Sequence, residues 1–277
     1  MRKAAVTGHP IKHSRSPLIH GFWLKTYGIE GEYGRVDLPP ENALSFLQNL
    51  KENGLVGVNV TIPNKETALE AAEILDGAAR QIGAVNTLWL DDEGRLNGSN
   101  TDALGFLGNL DQRAPGWDDR KGKAVVLGAG GAARAILWAL QHRGYQEILL
   151  LNRTLEKAEG LQSHFGEPVR CELWESRSKA LERCDLLVNT TALGMAGQRP
   201  LEIELNLLPS TAVVTDIVYT PLMTDLLVAA KARGNRVVDG LGMLLHQAVP
   251  GFEKWFGKRP EVTEELREVI LKDMGLL

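Results

Sequence analysis

Cysteine is scarce in this chain: Cys171 and Cys184 are the only two among 277 residues. That excludes a disulfide-stapled scaffold and fits reduced thiols in a cytosolic protein. Metal-ligating spacing is missing as well. The six histidines, His9, His13, His20, His142, His164 and His246, form no HExxH and no paired Cys/His pattern, so no metal is expected. Positive charge is not in excess, since the formal net charge is -4 and no Lys/Arg-rich run occurs. Nucleic acid and anionic membrane surfaces are therefore not expected partners. No apolar run approaches the roughly 20 residues of a membrane-spanning helix. The N-terminal stretch "MRKAAVTGHPIKHS" is interrupted by Pro10 and His13 before it could form the apolar core of a secretion signal. These absences lead us to expect a cytoplasmic protein, with a homodimer left open.

What is present is an alternation of short apolar runs with amphipathic ones, the pattern of an α/β chain. Strands are expected at 3–8, 31–38, 57–62 and 84–90, with a weaker one at 94–100, and helices at about 17–27, 41–52 and 65–75. The polar segment "RAPGWDDRKGK" (113–123) has the composition of a loop between domains. After it the rhythm changes. "AVVLGAG", "EILLLNR", "DLLVNTT", "AVVTDIVY" and "RVVDG" are near-continuous apolar runs, which parallel strands covered on both faces require. The tail reads as two helices whose partner periodicity leaves undecided.

In "AVVLGAGGAARAILWAL" a strand runs into Gly128, Gly130 and Ala133, matching G-x-G-x-x-G/A at a strand-to-helix junction. The first glycine permits the tight turn, the second lets a pyrophosphate approach the backbone, and the alanine allows the helix to pack closely on the sheet. The next strand ends in Asn152, Arg153 and Thr154, with no acid to bind a ribose 2'-hydroxyl. Arginine can pair with a 2'-phosphate and threonine can donate to it, so NADP is favoured over NAD. Thr154 also suits the N-cap of the helix that follows.

Lys65 closes "GVNVTIPNK", just where a helix is expected to begin with Asn64 as its N-cap. A cation there works against the helix dipole by a few tenths to about 1 kcal/mol, so local stability does not account for it. Asp102, at a second helix start expected to be capped by Thr101, is the natural companion. Oxidation of an alcohol requires one positioned base to take the hydroxyl proton as hydride leaves carbon. A lysine can do this where desolvation and a helix start favour its neutral form, and a neighbouring carboxylate opposes that. Asp102 is thus read as orienting Lys65 and hydrogen-bonding the substrate hydroxyl. Ser14 and Ser16, just before Pro17, offer two hydroxyls and free helix amides to a small carboxylate. Thr61, Asn86 and Gln247 are polar residues in apolar contexts, each a reasonable structural hydrogen-bonder by itself.

The segments "GHPIKHSRSPLIH", "NVTIPNK", "GAVNT", "NTDALGF", "GAGGAARA", "NRT", "NTTALGM", "DIVYTPLMT" and "GLGMLLHQA", in this order over nearly the whole chain, resemble the shikimate dehydrogenase family. The resemblance implies reversible reduction of 3-dehydroshikimate to shikimate with NADPH, in aromatic amino-acid biosynthesis. It implies Lys65 as general acid/base and Asp102 as its partner. Ser14 and Ser16 would hold the substrate carboxylate with help from Tyr219, while Thr61, Asn86, Asp102 and Gln247 read its hydroxyls. On the cofactor side it implies Gly128, Ala129, Gly130, Gly131 and Ala132, then Asn152, Arg153, Thr154, Lys157 and Thr190, with Ile217 and Gly240 near the nicotinamide. The implied architecture is a substrate-binding α/β domain over 1–103, completed by helices within 241–277, and a Rossmann-type parallel-sheet NADP-binding domain over 104–240, with the active site in the cleft. Three positions depart from the family pattern: Gly21 stands where asparagine is usual, Ala103 where glycine is, and Lys157 replaces the second arginine of "NRTxxR". Lysine attracts phosphate but cannot form the bidentate fork, so a weaker NADP preference, NAD use and quinate as a secondary substrate stay open.

Overall fold

The structure is a computed structural model describing residues 1–277, and it divides into two compact units, Met1–Asp102 with Leu245–Leu277, and Ala103–Leu244. The first unit holds strands β1 (Arg2–Gly8), β2 (Gly31–Asp37), β3 (Gly57–Val60), β4 (Ile74–Leu75), β5 (Thr87–Leu90) and β6 (Leu96–Ser99). They form one sheet in the order β2-β1-β3-β5-β6-β4. β1 pairs parallel to both β2 and β3, whereas β5 runs antiparallel to β3 and β6. Four helices belong to this stretch: α1 (Ser16–Thr26), α2 (Pro40–Gln48), α3 (Lys65–Ala71) and α4 (Gly77–Ile82).

All four residues of β3 are buried, as a strand between two neighbours should be. Val58 and Val60 pack with Leu47, Ala68 and Leu88 in the core. β4 and α4 were not legible in the apolar pattern. They are short, and α4 is specified by its ends: the Asp76 carboxylate accepts from Ala79 N at 2.7 Å, and Gly83 takes the left-handed conformation at φ 73°.

The second unit contains α5 (Asp102–Arg113, entering from the first unit), β7 (Lys123–Leu127), α6 (Gly131–Arg143), β8 (Glu147–Asn152), α7 (Leu155–Phe165), β9 (Val169–Leu173), β10 (Leu186–Asn189), β11 (Val213–Asp216), α8 (Asp225–Ala232) and β12 (Arg236–Val238). Its sheet is wholly parallel in the order β12-β11-β10-β7-β8-β9. Counted from β7, this is the 6-5-4-1-2-3 order of a doubly wound dinucleotide-binding sheet, which switches direction between β7 and β10. The expected parallel sheet is therefore present. β9 escaped the sequence reading because it is an edge strand with a single fully buried residue, Val169.

The loop at 113–123 does not separate domains. It joins α5 to β7 within the second unit, to which α5 is bound by the Asn109 Nδ2 to Asp239 O hydrogen bond (2.7 Å). The tail forms α9 (Leu241–Phe256) and α10 (Glu264–Asp273). From Leu245 onward these residues belong to the first unit. There Trp255 Nε1 donates to Leu88 O at 2.9 Å, and a Cβ on Gly57 would stand only 2.0 Å from that indole nitrogen. Glycine is the residue that lets α9 approach the sheet. No helix is long and apolar enough to cross a membrane.

Candidate active site

Lys65 is the first residue of α3 and Asp102 the first of α5. The Lys65 ammonium donates to Asp102 Oδ2 at 2.5 Å, with side chains 27% and 15% exposed. The pair is accessible to a ligand yet largely withdrawn from water. Asp102 Oδ1 accepts from Asn86 Nδ2 at 2.8 Å. Asn86 in turn has no freedom to flip, because its Oδ1 accepts from Thr101 N (2.8 Å) and Thr87 Oγ1 (3.0 Å). With the carbonyl oxygen saturated by donors, the amide NH2 must face the carboxylate.

One expected helix cap is corrected here. Asn64 holds the N-cap position of α3, but its side chain donates to Leu38 O (2.8 Å) and makes no cap bond. The Thr101 hydroxyl lies within bonding distance of Gln247 O (2.8 Å) and Asn86 Oδ1. Both side chains tie the site to neighbouring segments, and at Asn64 that tertiary demand outweighs local capping.

The network continues to residues that sequence reasoning missed. Asn59 Nδ2 donates to Thr87 Oγ1 (3.1 Å), and Asn59 Oδ1 accepts from Tyr33 Oη (2.6 Å). Burial pushes the Tyr33 phenol well above its ordinary pKa, against an opposing hydrogen-bond interaction with Ser16, so it is a firm proton donor. Ser14 Oγ donates to Ser16 Oγ and accepts from Ser16 N, each at 3.3 Å. Arg35 clamps Ser14 O through Nε (3.1 Å) and Nη2 (2.7 Å). A polar chain thus runs from the serine pair to the Lys65–Asp102 pair within one unit. The available signal was period-two spacing in β2: Tyr33, Arg35 and Asp37 share a face, and Asp37 bonds His9 at 3.1 Å. Such a row looks like a solvated strand face in sequence. Thr61 stands against Gly8, where a Cβ would meet Thr61 Cγ2 at 2.5 Å.

In the second unit, the glycine loop follows β7. Gly128 has φ 105°, and a Cβ there would lie 2.7 Å from Thr190 Oγ1, so both conformation and space demand glycine. Thr190 Oγ1 donates to Leu127 O (2.8 Å) and lies 3.2 Å from Gly128 O, fixing the turn. Gly130 and Gly131 meet nothing within 4 Å of an added Cβ, which leaves the start of α6 open for a phosphate to approach its amides. Asn152 braces the loop by accepting from Ala129 N (3.1 Å) and donating to Thr154 O (2.8 Å). Thr154 occupies the N-cap position of α7 without making the expected side-chain cap bond. Arg153 and Lys157 are exposed.

At the end of β11, buried Asp216 accepts from Asn189 Nδ2 (3.0 and 3.1 Å), Val218 N (3.0 Å) and Thr224 Oγ1 (2.8 Å). Burial raises its pKa, opposed by these donors. The arrangement holds the turn carrying Ile217 and Tyr219. Gly240 abuts it so closely that a Cβ would stand 2.3 Å from Ile217 O. Thus Ser14, Ser16, Thr61, Lys65, Asn86, Asp102 and Gln247 fall in the first unit, while Tyr219 and every candidate cofactor residue fall in the second.

A parallel sheet of this order, with an open glycine loop after its central strand, defines a dinucleotide-binding dehydrogenase of two-domain build. Three family models match the chain: the shikimate dehydrogenase substrate binding domain over residues 6–88, shikimate/quinate 5-dehydrogenase over 112–197, and the shikimate 5'-dehydrogenase C-terminal domain over 240–271. The shikimate dehydrogenase (NADP(+)) of Brucella abortus is 58% identical over 277 residues, covering 99% of this chain and 95% of that one. Among solved structures, shikimate 5-dehydrogenase from Thermus thermophilus, in complex with NADP(H) and shikimate, superposes with a TM-score of 0.87 at 38% identity, covering 98% of this chain and 99% of that one. The quinate dehydrogenase of Corynebacterium glutamicum, in complex with NAD, gives a TM-score of 0.90 at 28% identity, over 98% and 99%. The chain belongs to the shikimate dehydrogenase family.

Proposed function

We infer that this chain is an NADP-dependent shikimate dehydrogenase, reversibly reducing 3-dehydroshikimate to shikimate in aromatic amino-acid biosynthesis, with Lys65 as general acid/base and Asp102 as its partner. The observation that carries the residue assignment is the short Lys65–Asp102 contact, oriented by an asparagine that cannot flip. When bound, NADPH supplies the hydride. In the reducing direction the Lys65 ammonium gives its proton to the carbonyl oxygen; in the oxidising direction the amine takes it from the hydroxyl. Asp102 steadies the amine and can accept from a substrate hydroxyl. Ser14 and Ser16 donate to the carboxylate, with Tyr219 assisting, and Thr61, Asn86 and Gln247 read the remaining hydroxyls.

The cofactor assignment is supported by the fit of the loop: glycine is required at 128, the start of α6 is open at 130 and 131, and Arg153 and Thr154 stand free at the end of β8. Gly128 to Ala132 would face the pyrophosphate, Asn152 to Thr154 with Lys157 the adenosine phosphate, and Thr190, Ile217 and Gly240 the rest of the cofactor. The deciding experiment follows reduced-cofactor absorbance with shikimate or quinate and NADP or NAD, comparing kcat/KM over the four pairs. Highest values with shikimate and NADP support the reading; highest values with quinate and NAD turn it to the second reading, a quinate/shikimate dehydrogenase, which the likeness to the Corynebacterium enzyme favours.

A further inference from the structure

The lysine at position 157 leaves the adenosine phosphate without the second arginine fork of "NRTxxR", and the second unit holds an arginine that can replace it. Past the ends of β8, β9 and β10 lies a cavity of about 690 Å³, within the size range of small-molecule sites. Asn152 and Arg153 form one wall, Trp174 and Arg177 another, and the segment after β10, including Arg199, a third. Lys157 does not line it. Three arginines therefore line this space with one acidic residue, Glu202.

The three arginines are not equivalent. Arg177 is committed to the fold: its Nε donates to Glu202 O (2.5 Å), its Nη1 to Trp174 O (3.2 Å), and its guanidinium lies 5.2 Å from the centre of the Trp174 ring. The side chains of Arg153 and Arg199 have no hydrogen-bond or ion-pair partner. The backbone of Arg199 is nevertheless fixed, since its carbonyl accepts from Gly194 N at 2.8 Å, and Met195 O accepts from Gln198 N at 2.9 Å in the same turn. Two exposed arginines whose side chains nothing in the fold neutralises line one cavity, and a phosphate dianion can accept a fork from each.

We propose that Arg199 is the second arm of the 2'-phosphate site, binding the adenosine phosphate of NADP together with Arg153 and supplying the fork that Lys157 cannot form. The proposal rests on the NADP reading above. It makes Arg199 a specificity-determining residue on the segment after β10, outside the motif that follows β8.

The test measures equilibrium binding of 2',5'-ADP and of 5'-AMP by titration calorimetry on the full chain, for wild type, Arg199→Ala, Arg199→Lys and Arg153→Ala, with circular dichroism as a folding control. Because the Arg199 side chain is exposed and unpartnered, its removal leaves the fold intact. We expect Arg199→Ala to weaken 2',5'-ADP by about tenfold while changing 5'-AMP less than twofold, with Arg199→Lys recovering only part of the loss. If Arg153→Ala loses 2',5'-ADP selectivity and Arg199→Ala keeps it, the proposal is overturned and the NADP reading survives. If wild type binds the two nucleotides equally, the NADP reading fails first and the proposal with it.

Discussion

The two regions that carry the chemistry are built on opposite plans. Around Lys65 and Asp102 nearly every polar group already has a partner inside the protein: Asn86, Thr87, Asn59 and Tyr33 satisfy one another in a buried chain. Around the glycine loop and the end of β8, Asn152 and Thr190 brace the backbone, while the start of α6 is sterically open and the Arg153 and Thr154 side chains have no partner. The difference follows from what each region must do. Moving a proton to one oxygen of a small polyhydroxylated ring needs groups held within a fraction of an ångström, which only a satisfied network provides. Holding a phosphate needs donors and positive charge that nothing else is using.

Substitutions should therefore divide by region: in the first, chemistry and stability change together, and in the second, binding changes alone. The largest effect belongs to Lys65→Ala, which should lower kcat by about 10² or more in steady-state assays while cofactor affinity measured by titration stays nearly constant. An unchanged kcat would remove Lys65 from the mechanism.

The next effect is one of pH on stability. His20 is fully buried against Tyr33, Trp23, Phe252 and Trp255, its ring nitrogens lack hydrogen-bond partners, and burial lowers its pKa from 6.5 to about 3, against a weaker opposing effect of Asn59. The folded state keeps the ring neutral while the unfolded chain protonates near 6.5, so this stability is whole above that pH and drains as pH falls towards 3. At pH 5 the loss is about 2 kcal/mol relative to neutral pH, from roughly 1.5 pH steps at 1.36 kcal/mol each. Urea unfolding at both pH values should show it in wild type and not in His20→Phe. Equal pH dependence in the two would count against a neutral buried histidine.

A smaller and purely local effect is expected for Arg153→Ala, which should raise KM for NADP about tenfold and leave KM for NAD within twofold. Its unfolding midpoint should match wild type, because the side chain has no partner to lose. Parallel changes in both KM values would refute the phosphate assignment. The smallest is Tyr33→Phe, which strips Asn59 Oδ1 of the tyrosine hydroxyl that donates to it inside the core. A cost of about 1 kcal/mol in urea unfolding is expected. If Tyr33→Phe left stability untouched while Arg153→Ala lowered it, the contrast between the regions would be reversed.

Much of the second unit was legible in sequence because a parallel strand covered on both faces is largely apolar, and β7, β8, β10 and β11 each carry a run of Val, Leu, Ile or Ala with polar residues confined to their ends. The glycine loop was legible for a similar reason, since only glycine tolerates the backbone and crowding found at Gly128. β9 and β4 were not, being an edge strand and a two-residue strand with weak burial. In the site, Lys65 drew attention by opposing the dipole of its own helix. Tyr33, Asn59 and Arg35 drew none, because a polar residue on a strand has the same appearance whether it meets water or a partner distant in the chain.

Composition, periodicity and the order of motifs by themselves determined the α/β class, the dinucleotide loop and the family, because each depends on local constraints: covering both faces of a strand, backbone freedom at a glycine, a charge set against a helix end. Only the tertiary structure decided which donors are already engaged and which remain open. Pairings such as Asn86 with Asp102, Tyr33 with Asn59, and Arg199 sharing a cavity with Arg153 join residues 16 to 46 positions apart, and such proximity is created by packing, which no local pattern encodes.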